Sequence, residues 1–85
     1  MPHDPQPDSR FDDFLFLQAQ NAGLFLGQIP HPATGEKSVN LRAAQSVLDC
    51  LEMLEGKTAN NLTTHEQKLL QAALSNIRHL YQKHS

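Results

Sequence analysis

The chain has 85 residues, 39% of them hydrophobic and 19% charged, with one cysteine, no tryptophan and a formal net charge of -2. A chain of this length makes one domain near the lower limit of unaided folding. It hides only about 60–65% of the surface that it exposes when unfolded, so oligomerisation is a common source of further burial. A second domain and an internal disulfide are excluded on these grounds, and the net acidity argues against a nucleic-acid-binding surface.

Residues 1–7 are polar and contain three of the five prolines, which predicts a loosely ordered arm over 1–8 ahead of a single helical domain over 9–85. The opening Met1-Pro2-His3-Asp4-Pro5 has neither a basic start nor an apolar core, so no secretory leader is expected and the protein reads as cytoplasmic. Phe14 to Gly35 contains no charged residue. Gln18, Gln20, Asn21 and Gln28, with Gly23 and Pro30, still argue against a membrane span, because hydrocarbon offers their amides no partner.

The first helix is expected from Ser9 to Leu26, with Ser9 as cap and Asp12 and Asp13 at the positive end of the dipole. At 100° per residue Phe11, Phe14, Leu15, Ala19, Ala22, Phe25 and Leu26 share one broad side, which is expected to face the core. Phe16, Leu17 and Leu24 fall off that side. One covering layer cannot hide both sets, and a second copy of the chain is the simplest cover for the remainder. Gln18 lies within the main apolar side, where an unpaired amide costs about 1–3 kcal/mol, so it calls for a hydrogen bond, with its symmetry mate as a candidate partner.

Leu26-Gly27-Gln28-Ile29-Pro30-His31-Pro32-Ala33-Thr34-Gly35 forms a junction. Gly27 can take the left-handed conformation that ends a helix, and Pro30 cannot continue one. Pro30 and Pro32 push Ile29 and His31 toward extended geometry, making a stiff strap that Thr34-Gly35 turns. Ile29 is the strap's large apolar side chain and is expected to pin it to the helices. In this reading Gly27, Ile29, Pro30, Pro32 and Gly35 are structural.

The second helix is expected from Leu41 to Glu55, capped by Asn40 and stopped at Gly56. Its apolar positions Leu41, Ala43, Ala44, Val47, Leu48, Cys50, Leu51 and Leu54 span about half the circumference, wider than the roughly 100° stripe of a surface helix, so it is read as central. Cys50 is read as an inert buried thiol, and Met53 as an isolated exposed apolar residue. Thr63-Thr64-His65-Glu66 fits a capping box for a third helix from Thr64 to Lys83. Leu69, Leu70, Ala73, Leu74, Ile77, Leu80 and Tyr81 form its single stripe. The fold class is therefore all-α: a small three-helix domain of helix 1, an extended proline-containing linker and an antiparallel helix 2–helix 3 hairpin, associating as a helical homodimer.

The junction, together with Val39-Asn40-Leu41-Arg42-Ala43-Ala44, Leu51-Glu52-Met53-Leu54, Lys57-Thr58 and Asn61-Leu62-Thr63, resembles domain of unknown function family 1844. The likeness spans about Phe14 to Tyr81. It implies a short, cytosolic, bacterial helical protein, and it implies no activity.

Candidate chemistry is sparse. None of the five histidines stand at i,i+3 or i,i+4, so no metal or other cofactor is expected. No phosphate loop or nucleophile–base pair appears, and the chain is read as a non-enzymatic interaction module. Phe16, Leu17, Leu24 and Gln18 are its interaction residues, toward a second copy and an unidentified protein partner. Two alternatives stand beside it. One is a small-molecule binder or minor enzyme with Gln18, Asn21 and His31 lining a pocket at the helix 1/linker junction. The other is a nucleic-acid partner on Arg78, His79, Lys83 and His84, which the overall acidity opposes.

Overall fold

The computed structural model describes residues 6–84, so residues 1–5 of the expected arm lie outside the described residues. Three helices, α1 (Ser9–Phe25), α2 (Leu41–Lys57) and α3 (Thr64–His84), make an all-α domain. Each helix packs against both others. The α2–α3 hairpin is antiparallel: Gln71 bonds to Glu55 and Arg78 pairs with Glu52, so α3 climbs as α2 descends. Asp8 meets Glu66 at one end and Gln28 meets His84 at the other, so α1 runs parallel to α3.

The core is Leu15, Ala22 and Leu26 from the first segment, Ala44, Val47, Leu48 and Leu51 from α2, and Leu70, Leu74 and Ile77 from α3. The fully buried positions of α2 span about two turns and fall within about 100° of its circumference, narrower than its apolar arc, whose flanks Leu41, Ala43, Cys50 and Leu54 are only half-buried. Cys50 is half-buried rather than sealed. On α1, Phe14 and Ala19 are exposed rather than buried. That helix is apolar on almost every side, so its spacing alone does not single out the two rows that meet α2 and α3.

Local signals explain the helix ends. Asp8, not Ser9, caps α1, its carboxylate accepting the Arg10 amide at 3.0 Å. Asn40 caps α2 by accepting the Ala43 amide at 3.1 Å. The helix does not stop at Gly56 but continues to Lys57, and the Thr58 hydroxyl then donates to the Leu54 carbonyl at 2.7 Å. At α3 the Thr63 hydroxyl accepts the Glu66 amide at 3.1 Å while Glu66 Oε1 accepts the Thr63 amide at 3.0 Å. This is the reciprocal capping box that the sequence shows.

Candidate functional site

The junction is built on backbone bonds. Gly27 takes φ +73°, its amide donates to the Leu24 carbonyl at 3.3 Å, and the Gln28 amide donates to the Gly23 carbonyl at 2.8 Å. Those two bonds make the glycine-dependent helix stop that consumes the last free carbonyls. Ile29 then folds back over the helix: a β-carbon added at Gly23 would stand 2.9 Å from Ile29 Cδ1. The space beneath the strap is taken by that side chain, though Ile29 itself stays 41% exposed.

His31 organises the rest of the strap. Its amide donates to the Glu36 carbonyl at 2.8 Å, and its carbonyl accepts the Gly35 amide at 2.7 Å. Its ring Nδ1 accepts the Ala33 amide at 3.2 Å. Pro30 and Pro32 flank this closed turn without needing donors of their own. The returning chain is tied to α1 by the Asn40 amide on the Phe25 carbonyl at 2.6 Å and by a single antiparallel bridge between Leu26 and Val39. Gln18 and Asn21 are half-buried on α1, whereas His31 is exposed and spends its ring nitrogen inside its own loop.

A different feature opens between α1 and α3. A groove of about 490 Å³ runs along them, floored by Leu15, Ala19, Leu69, Ala72 and Ala73. Phe16 stands on its rim, 66% exposed, and the next residue, Leu17, is 52% exposed. Leu24, two turns on from Leu17, is half-buried. Gln18 is half-buried too. Helical spacing sets Gln18 about 160° from Phe16, nearly opposite it around α1.

The groove's acidic end is made of Asp12, Asp13 and the nearby His65, whose Nε2 lies 3.9 Å from Asp12 Oδ2. Asp12 Oδ1 is buried and has no hydrogen-bond partner. Below it, Glu66 is 3% exposed. The amides of Thr63 and then of Asp8, both donating to its carboxylate, hold Glu66 below its ordinary value. The Arg10 guanidinium and amide lower Asp8 to about 2.

The basic residues near the C-terminus do not form one patch. Arg78 turns toward α2 and pairs with Glu52 at 3.7 Å, and His84 reaches Gln28 at 3.5 Å. His79 and Lys83 are exposed. Among the described residues no group of three or more His, Cys, Asp or Glu side chains is placed to hold a metal ion, and no helix is long and apolar enough to cross a membrane.

Residues 9–83 match the family described as Domain of unknown function (DUF1844). The chain belongs to this family. No curated protein and no solved structure shows significant similarity to it. The matched span of the DUF1844 chain contains α1, the strap, α2 and all but the last residue of α3, so the family pattern covers the groove as well as the junction.

Proposed function

We propose that this DUF1844 protein is a non-enzymatic helical module of the cytoplasm that works by self-association through the outward strip of α1. The supporting observation is the pair Phe16 and Leu17, 66% and 52% exposed on consecutive positions of one helix. Completing their burial contributes about 1 kcal/mol or more per side chain, and a two-fold assembly counts each contribution twice. The chain's size supplies the motive, since a small domain has little other surface with which to gain stability. Leu24 borders the same strip.

Light scattering at micromolar concentration tests this. The expected result is a dimer that Phe16→Glu with Leu17→Glu converts to a folded monomer. Met53→Glu, at another exposed apolar residue, leaves the dimer intact. A wild-type protein that is folded and strictly monomeric overturns the proposal.

A further inference from the structure

We propose that the N-terminal part of α1, residues 9–21, is a hinged segment that opens from the α2–α3 hairpin without global unfolding, with Glu66 as its latch. The buried side chains are unevenly shared. Val47, Leu48 and Leu51 of α2 and Leu70, Leu74 and Ile77 of α3 are all buried. Among the described residues from 9 to 21, Leu15 alone is buried, and Phe11 is half-buried. Segments with few buried apolar groups open at a lower free energy than the core beside them. The groove sharpens the contrast, because Ala19, Ala72 and Ala73 leave space between α1 and α3 next to Leu15, where packing contacts are lost.

The other end of α1 is bolted down. Ala22, Gly23 and Leu26 are buried, and the Gln28 and Ile29 amides both donate to the Gly23 carbonyl. The Asn40 amide on the Phe25 carbonyl ties the same end to the start of α2. Opening of residues 9–21 leaves all of these bonds in place, so the pivot lies at Ala22.

Opposed interactions meet at the free end. Glu66 holds the start of α1 through the Asp8 amide, a bond strengthened by the charge of its acceptor. Against it, Asp12 Oδ1 is buried with no hydrogen-bond partner, and Asp12 shares the hollow at this end with Glu66. An unpaired carboxylate oxygen and a like charge beside it both favour release, because water solvates Asp12 once the segment is open. The closed state thus depends on one carboxylate and on Leu15.

Hydrogen exchange followed by mass spectrometry over a series of sub-denaturing urea concentrations, on protein dilute enough to be a single copy, tests the hinge. Amides of residues 15–21 are expected to be at least tenfold less protected than those of residues 47–51 and 70–77, and to depend less steeply on urea because less surface is exposed. Equal protection and one shared urea dependence in all three stretches would mean that the segment does not open on its own, and the proposal is then wrong. Glu66→Gln should lower protection at 15–21 about tenfold, since it removes the charge of the acceptor and leaves one oxygen to serve two amides. Asp12→Asn should raise protection there about threefold, by removing a like charge. A Glu66→Gln protein that circular dichroism shows to be folded, and that exchanges like wild type at 15–21, overturns the latch. If Glu66→Gln does not fold, Asp12→Asn decides: higher protection at 15–21 supports the balance described, and unchanged or lower protection overturns it.

Discussion

Glu66 Oε2 accepts the backbone amide of Asp8 at 3.0 Å, across 58 positions of sequence. The other oxygen of the same carboxylate accepts the Thr63 amide. One buried side chain thus closes the capping box of α3 and ties down the residue that caps α1. The two helix starts are coupled through a single charge, and this coupling sets the parallel register of α1 and α3 on which the groove depends.

A pH dependence follows from Glu66. Its folded value lies below the ordinary 4.5, held there by the Thr63 and Asp8 amides. A depressed carboxylate adds stability above its unfolded value and loses it as pH falls through the lower folded value. The difference in melting temperature between wild type and Glu66→Gln should therefore be largest near neutrality and shrink below about pH 4.5. A difference that stays constant down to about pH 3 would show that the contribution of Glu66 does not come from its charge.

Gly27 and Gly35 separate backbone strain from crowding. Both adopt positive φ, +73° and +70°. An added β-carbon at Gly27 meets Val39 Cγ2 at 3.2 Å, and at Gly35 it meets nothing within 4 Å. Gly35→Ala should cost about 1 kcal/mol from conformation alone, and Gly27→Ala about 2 kcal/mol because the Val39 bridge must also give way. Urea unfolding of the two variants measures the gap, and equal losses would mean that Val39 yields freely.

Much of this fold was legible because its signals are short in range. Asn40 and the Thr63–Glu66 box are complete within four residues, so the starts of α2 and α3 were readable from local sequence. At α1 two good caps, Asp8 and Ser9, stand side by side, and local chemistry does not choose between them. The Asp8 position is tied by the distant Glu66. Gly56 looked like a stop, yet nothing lies near its missing side chain and α2 runs past it to Thr58, whose hydroxyl and amide both bond to the Leu54 carbonyl. The groove was hidden for another reason. It is defined by what Ala19, Ala72 and Ala73 lack, and periodicity counts Ala19 and Ala73 with the large apolar residues without showing that they leave a depression.

Gly23 and Ile29 give a measurable coupling between helix and strap. Gly23→Ala gains about 0.5–1 kcal/mol of helix preference, but its β-carbon would stand 2.9 Å from Ile29 Cδ1 and push the strap off. The expected outcome is little net change in stability together with faster amide exchange at Gln28 and Ile29, whose amides bond to the Gly23 carbonyl. A double-mutant cycle with Ile29→Ala should show a coupling of about 0.5 kcal/mol or more, since the two changes act on one contact. An additive cycle would mean that the strap is held without Ile29.

Leu51 separates folding from association. It is 0% exposed at the centre of α2, whereas Met53, two residues on, is 53% exposed. Leu51→Ala should cost about 2–5 kcal/mol, because a fully buried core site collapses only in part around the cavity left. For a domain of this size each kcal/mol lowers the melting temperature by about 4–8 °C, so a fall of about 10 °C or more is expected, and Met53→Ala should stay within about 0.5 kcal/mol of wild type. Leu51 is too deeply buried to touch a second copy. The surviving folded fraction of Leu51→Ala should therefore dimerise with the wild-type dissociation constant, while Phe16→Ala should weaken association and barely move the monomer's melting temperature. Sedimentation and thermal denaturation on the same two samples check both halves, and a loss of association in Leu51→Ala at temperatures where it is fully folded would show that core packing and the α1 surface are not independent.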